Sequence, residues 1–135
     1  MTRIEIQFKG ILSGKALGKA LVSRQPLGFY GDIDEDGILV AKGHPCEGCS
    51  VADCILIYPE AKGSSAGCMM LHWLAKRGRK PAGIVNTQRL DPNLVEGAIL
   101  ADIPLLCCPE LDVYKWVATG DRVEIDGQSG LLVKM

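Results

Sequence analysis

Continuous apolar segments alternate with helix-like segments through the second half of the chain. Three of the apolar segments are typical of strands covered on both faces, and they lie at 54–58, 81–86 and 103–107. The segments between them predict two helices, at 64–78 and 91–101. Strand–helix–strand–helix–strand with short connections indicates a parallel sheet with right-handed crossovers.

The remainder of the chain is predicted to be mainly β-structure. Alternation of polar and apolar residues, with glycine-rich segments between the runs, predicts strands at 3–9, 19–24 and 38–42. Segments 122–127 and 131–134 predict a hairpin around a turn at 126–130. We therefore expect an α/β fold in which a parallel sheet flanked by helices is joined to an additional β-rich layer.

Length and charge exclude several classes of function. The 135 residues fit a single domain, 1–135, and 15 Lys+Arg against 16 Asp+Glu give a net charge of −1. Nucleic-acid and anionic-membrane binders have a basic excess, so neither partner is expected. The longest apolar runs are far shorter than the roughly 20 residues of a membrane span. Charged residues near the first methionine argue against an export signal, so we expect a cytoplasmic protein.

The chain contains six cysteines, which is unusual for its size. Cytosolic thiols are kept reduced, so a disulfide framework is not expected to account for them. Cys46 and Cys49 form a C-x-x-C pair, Cys54 follows closely and His44 lies just upstream. This set suggests a metal or redox site. The alternative is that cysteines fill small apolar spaces, and there is no second pair at zinc-finger spacing.

A glycine- and serine-rich loop, residues 62–67, connects the strand at 54–58 to the first predicted helix. Ligands of parallel sheets bind at the carboxyl ends of strands, where free N–H groups of a helix N-terminus bind anions. Gly63 and Gly67 allow close approach of a ligand, and Ser64 and Ser65 place hydroxyls there. A capped helix without any site explains the serines as well.

Several separate motifs, in conserved order over residues 3–134, resemble the small subunit of aconitase X. The motifs are Lys62-Gly63-Ser64-Ser65-Ala66-Gly67, Gly43-His44-Pro45 with Gly48, Asn86 with Asp91-Pro92, Gly31-Asp32-Ile33-Asp34 with Gly37, and Gly120-Asp121-Arg122-Val123. The resemblance implies a swivelling β/β/α domain that works as one subunit of a two-subunit hydro-lyase. It also implies a large catalytic subunit as partner and an iron–sulfur cluster on that subunit, with none bound by this chain.

The resemblance further implies a small anionic substrate. In the archaeal branch of the family this is 5-phosphomevalonate, which is dehydrated to trans-anhydromevalonate 5-phosphate in the mevalonate pathway of isoprenoid biosynthesis. In a bacterial branch it is cis-3-hydroxy-L-proline. We expect the archaeal substrate, because a separately encoded subunit of this length fits that branch.

The site residues follow from the matching motifs. In this family the iron–sulfur centre binds the leaving hydroxyl, and a serine of the swivel domain takes the proton from carbon. By position we assign this base to Ser64, with Gly63 and Ser65 next to the substrate; the two serines could exchange roles. A helix N-terminus would stabilise the alkoxide.

Three charged residues are further candidates for substrate binding, and each has a structural alternative. Lys62 would balance a carboxylate or phosphate, or else be a solvated lysine. Arg89 follows the strand at 81–86 and suits a bidentate anion contact, or else a structural ion pair. Asp32 lies in a glycine-flanked loop that the family places near the cleft, or else is a turn aspartate.

The cysteines depart from the family pattern, in which the segment after His-Pro has none, so they are not assigned as cluster ligands. Two hypotheses of other classes therefore stand beside the hydro-lyase. One is a non-catalytic metal or thiol-redox module built on Cys46, Cys49 and Cys54 with His44. The other is a phosphate-carrying swivel domain in which His44 is phosphorylated, a hypothesis that rests on analogy of fold.

Overall fold

The computed structural model describes residues 3–63 and 65–135, and within them two helices lie against an eight-stranded sheet. The strands are β1 (Ile4–Gln7), β2 (Lys9–Leu12), β3 (Lys15–Val22), β4 (Ile55–Tyr58), β5 (Gly83–Asn86), β6 (Leu105–Cys107), β7 (Arg122–Asp126) and β8 (Leu131–Lys134). The helices are α1 (Ser65–Lys76) and α2 (Pro92–Ala101), and a single 3₁₀ turn covers Val113–Lys115. None of these described helices is long and apolar enough to cross a membrane.

The centre of the sheet is parallel and its flanks are antiparallel, in the order β1-β8-β7-β3-β4-β5-β6-β2. Strands β3 to β6 run parallel to one another, while β7, β8 and β1 extend one side and β2 the other in antiparallel pairing. This confirms the predicted α/β fold class. Strand β3 belongs to both parts, because it pairs with β4 in parallel and with β7 in antiparallel fashion.

The two edge strands of the sheet are consecutive in the chain and are separated only by Phe8. The Phe8 N–H donates to the carbonyl of Gly130, 2.8 Å away, in the turn before β8. The chain therefore passes directly from one edge of the sheet to the other, and the sheet closes on itself. The sequence pattern missed this, because it predicted one strand over 3–9 where the structure has two.

Closure of the sheet gives it two apolar cores, one on each face. Alternate residues of the central strands enter different cores, since successive side chains of a strand point to opposite faces. Ile57 and Val85 pack in the interior of the closed sheet with Phe8, whereas Leu56 and Ile84 pack beneath the helices. This explains why the parallel strands are apolar at nearly every position.

Both helices end and begin close to the predicted positions. Gly78 has a φ of 71° after the end of α1, and the N–H groups of Gly78 and Arg79 bond to the carbonyls of Ala75 and Leu74. This is the Schellman arrangement. Helix α2 begins with Pro92 after Asp91, as predicted, but the Asp91 side chain accepts no capping hydrogen bond.

The prediction of a strand at 38–42 is wrong. Isolated bridges, Ile33 to Leu39 and Ile38 to Ser50, replace a strand in this part of the chain. The Asp34 carboxylate accepts hydrogen bonds from the N–H groups of Asp36 and Ile38, so the local polar side chain bonds the backbone that a sheet would otherwise use.

Close packing of the helices generates a first prediction. A methyl group at Gly97 of α2 would lie 3.1 Å from the Cα of Cys68 in α1. Although alanine has the higher helix propensity, we expect Gly97→Ala to lower the free energy of unfolding by about 1–3 kcal/mol through overpacking. Urea denaturation measures it. Gly67→Ala in α1 is the matched control, because its methyl would meet no described atom within 4 Å and stability should rise or stay unchanged. Equal effects of the two variants would contradict the packing argument.

Candidate functional site

The four parallel strands end at one edge of the sheet, and their following segments form the candidate site. Those segments begin at Ser23 after β3, Pro59 after β4, Thr87 after β5 and Cys108 after β6. Because loops and helix N-termini converge at this edge, it is where ligands of parallel sheets bind. The predicted site residues 62–65 and 89 belong to these segments.

Two predicted substrate-binding residues, Lys62 and Asp32, bind each other. The Lys62 Nζ lies 2.9 Å from Asp32 Oδ2, and the same carboxylate oxygen accepts the N–H of Gly28 at 2.9 Å. The Lys62 backbone N–H also donates to the Leu27 carbonyl at 3.0 Å. The loop containing Asp32 is thus fixed to the β4–α1 loop, and the Lys62 side chain is held by its ion pair with Asp32.

The third charged candidate, Arg89, is in an ion pair with Glu60. Its Nε lies 2.9 Å from Glu60 Oε2, and the Arg89 side chain remains 68% exposed. Glu60 belongs to the loop after β4 and Arg89 to the loop after β5, so the ion pair joins two neighbouring loops of the site. The guanidinium therefore stays accessible to solvent while it is paired with Glu60.

The predicted base Ser64 lies outside the described residues, but the backbone on either side of it is described. Helix α1 begins at Ser65, so Ser64 directly precedes its first turn. A methyl group at Gly63 would meet no described atom within 4 Å, and Gly63 is not among the residues with positive φ. Nothing in the described chain therefore requires glycine at position 63.

A buried Ser23–His44 pair, which the sequence did not reveal, lies after β3. His44 Nδ1 accepts the Cys46 N–H at 2.9 Å, so Nε2 bears the proton and donates to Ser23 Oγ at 2.8 Å. The Ser23 hydroxyl in turn donates to the carbonyl of Gln25 at 2.7 Å. This direction of donation is the reverse of a serine nucleophile activated by histidine. The pair anchors the loop, and both ring nitrogens of His44 are hydrogen-bonded, which disfavours the phosphohistidine hypothesis.

Tyr58 and Asn86, paired in register at the ends of β4 and β5, are fully buried. Among residues 3–63 and 65–135, neither the Tyr58 hydroxyl nor either amide atom of Asn86 has a hydrogen-bond partner. Burial raises the pKa of the Tyr58 hydroxyl far above its usual value, and the neighbouring Asn86 side chain partly offsets this rise in pKa. The two side chains nevertheless do not reach hydrogen-bond geometry. Unpaired buried polar groups cost stability, so this edge carries a local energetic penalty.

The cysteines do not assemble into a metal site. Within the described part of the chain, no three His, Cys, Asp or Glu side chains could together hold a metal ion. Cys46 is buried with its Sγ 3.6 Å from Thr119 Oγ1, while the Cys54 thiol donates to the Ser50 carbonyl at 3.4 Å. Burial, and then the neighbouring Cys108 thiol, raise the pKa of Cys107 to about 12. The cysteines of the C-x-x-C segment thus do not form the ligand set that the metal hypothesis needs.

Tyr114 connects the ends of β3 and β5. Its hydroxyl donates to the Ser23 carbonyl at 2.9 Å and lies 3.1 Å from Thr87 Oγ1. The Arg24 guanidinium lies 4.9 Å from the centroid of the Tyr114 ring. Tyr114 could not be found from the sequence, because no motif indicates that the 3₁₀ turn at Val113–Lys115 packs against this edge of the sheet.

Comparison with known proteins identifies the family. The family model described as the aconitase X swivel domain matches residues 5–134. The chain belongs to the aconitase X swivel domain family. The phosphomevalonate dehydratase small subunit of Methanosarcina mazei is 37% identical over 132 residues, which cover 96% of this chain and 91% of that protein. The protein of the same name from Methanocaldococcus jannaschii is 36% identical over 129 residues, 96% of each chain.

A solved structure of the family has the same fold. The crystal structure of Thermococcus kodakaraensis aconitase X in its holo-form matches with a TM-score of 0.89 and 32% identity, covering 98% of each chain. The resemblance inferred from the sequence motifs is therefore confirmed, and so is the expectation of an aconitase X swivel fold. The described edge residues, with the ion pairs of Lys62 and Arg89, are the candidate site of this aconitase X swivel domain.

Two tyrosines at the edge, the buried Tyr58 and the half-buried Tyr114, provide a second prediction. Tyr58→Phe removes an unpaired hydroxyl, so we expect the free energy of unfolding to stay unchanged or to rise by about 1 kcal/mol. Tyr114→Phe removes a hydroxyl with two hydrogen-bond partners and should lower it by about 1–2 kcal/mol. Urea denaturation of both variants makes the comparison. A larger loss in Tyr58→Phe than in Tyr114→Phe would show that the Tyr58 hydroxyl is bonded.

Proposed function

We propose that this chain is the small subunit of a two-subunit hydro-lyase that dehydrates 5-phosphomevalonate to trans-anhydromevalonate 5-phosphate. The observation that supports it most is near-full-length similarity to archaeal proteins named phosphomevalonate dehydratase small subunit, at 37% and 36% identity. The alternative substrate, cis-3-hydroxy-L-proline, has no comparable support among these relatives. A cytoplasmic location is part of the proposal, since it keeps the six thiols reduced.

In this proposal Ser64 is the base that removes the proton from the carbon next to the leaving hydroxyl. A serine hydroxyl is a weak base unless its alkoxide is stabilised. The position directly before α1 supplies that stabilisation, because the free N–H groups and the positive end of the helix dipole face an anion there. Ser65 and the backbone at Gly63 then contact the substrate.

Arg89 is the residue we propose for direct contact with an anionic group of the substrate. Its guanidinium is mostly exposed while Glu60 holds its position, so it is oriented and still accessible. Lys62 contributes positive charge beside the serine loop, and Asp32 acts through Lys62 by fixing its Nζ. This divides the predicted set into binding residues and one positioning residue.

The proposal needs a large subunit, as the name of the relatives implies for those proteins. The described residues of this chain do not fit an iron–sulfur cluster, because no three potential ligands come together. In the proposed reaction no step uses a metal group held by this chain. We assign the iron–sulfur cluster implied by the family to the large subunit. This chain binds, orients and deprotonates the substrate.

The experiment that tests the function is co-expression with the large subunit and assay on 5-phosphomevalonate and on cis-3-hydroxy-L-proline. We expect Ser64→Ala to reduce kcat by about 10²–10⁴-fold, the usual contribution of a positioned base. Ser65→Ala is the matched control and should mainly raise KM. Size-exclusion chromatography of each complex checks that assembly is intact.

Full activity of the Ser64→Ala complex would reject Ser64 as the base, and a larger loss in Ser65→Ala would exchange the two roles. Dehydration of hydroxyproline without turnover of phosphomevalonate would reject the proposed substrate while leaving the hydro-lyase class intact.

Gly63→Ala tests whether the loop glycine serves a ligand. The added methyl meets no described atom within 4 Å, so the free energy of unfolding should change by less than about 0.5 kcal/mol. If substrate passes close to this backbone, kcat/KM should fall by about 10- to 100-fold. Steady-state kinetics with denaturation curves separate the two effects. Unchanged kinetics would mean that position 63 does not face the substrate.

A further inference from the structure

A cavity of about 370 Å³ opens after the end of β3, at the same edge as the serine loop. Its walls come from three parts of the chain: the segment after β3, the His44–Pro45 loop and the segment from Tyr114 to Thr119. Among the residues that the structure describes, neither the Lys62–Asp32 nor the Arg89–Glu60 ion pair lies in its lining. It is therefore a second feature of the site, beside the serine loop.

Arg24 is the one Lys or Arg among the described residues that line this cavity, and no described carboxylate lines it. The Arg24 guanidinium has no carboxylate within 4.0 Å in the described residues, unlike Arg77 and Arg89, which are paired with Asp36 and Glu60. It lies over the Tyr114 ring, where a stacked guanidinium keeps its N–H edges free. The cavity thus has an uncompensated positive charge.

The walls of the cavity are fixed before any ligand arrives. Tyr114 is held by Ser23 and Thr87, and Ser23 is held by His44. Thr119 accepts the Val22 N–H at 3.0 Å, which fixes the opposite wall. An anion entering this space would meet an oriented guanidinium, which lowers the entropic cost of binding.

We propose that this cavity binds the phosphate group of the substrate, with Arg24 as the residue that contacts it. The inference rests on the proposed function and deepens it. A guanidinium offers paired N–H donors that match two oxygens of a phosphomonoester. Strands β3 and β4 are parallel neighbours about 4.8 Å apart, so the segments that carry Arg24 and the 62–67 loop leave the sheet at the same edge.

The test uses the assembled two-subunit enzyme with three variants. We expect Arg24→Gln to raise KM for 5-phosphomevalonate by about 10- to 100-fold, the loss of a charged hydrogen-bonding partner, and to change kcat less than KM. Inorganic phosphate should inhibit the wild type competitively and the variant more weakly by a similar factor. The KM and the phosphate inhibition of Arg24→Lys should lie between those of the wild type and Arg24→Gln. Arg77→Gln, at the far end of α1, is the matched control and should leave both constants unchanged.

Three outcomes overturn the proposal: an unchanged KM in Arg24→Gln, inhibition by phosphate that does not depend on Arg24, or weakened association of the subunits without a KM effect. The third would assign Arg24 to a carboxylate of the partner subunit. Titration calorimetry with inorganic phosphate on the complex keeps the test independent of the reaction. If the wild type does not turn over phosphomevalonate, the proposed function fails, yet phosphate binding that Arg24→Gln abolishes would still support an anion site here.

Discussion

Closure of the sheet through Phe8 is the constraint on which the rest of the structure depends. Because β1 and β2 follow one another but occupy opposite edges, the chain can satisfy both pairings only if the sheet curls around its own interior. A methyl group at Gly127 would overlap the Leu12 carbonyl where the strands meet, so the closure leaves no space for a side chain there. The curled sheet then leaves only one outer face for α1 and α2, and directs the ends of β3 to β6 to one edge.

Among the described residues, that edge holds buried polar groups of two kinds, paired and unpaired. Ser23, His44 and Tyr114 form a connected network, whereas Tyr58 and Asn86 are buried without partners among the described residues. The Lys62–Asp32 ion pair joins the β4–α1 loop to the loop containing Asp32, and the Arg89–Glu60 ion pair joins the loops after β5 and β4. The unpaired buried groups cost stability at the edge where the candidate site lies.

The arrangement suits a domain that supplies one part of an active site. Helix α1 begins at Ser65, and the loops after β4 and β5 carry the Lys62–Asp32 and Arg89–Glu60 ion pairs, while no three potential metal ligands assemble in the described residues. Membership of the aconitase X swivel domain family, and the name small subunit that the archaeal relatives carry, agree with the proposed division of the reaction between two chains.

The sequence by itself determined the parallel centre, both helices, the C-terminal hairpin and the family, because apolar runs, Asp91-Pro92 and the glycine-serine loop are local signals. It did not reveal the division of β1 from β2, the lack of a strand at 38–42, or the mutual pairing of Lys62 and Asp32. Tertiary structure alone decided these, and also brought Arg24, Tyr114 and His44 around one cavity. The physical reason is that sheet closure and long-range hydrogen bonds join residues that are far apart in the sequence. The local sequence around one residue does not indicate which distant residue it will contact.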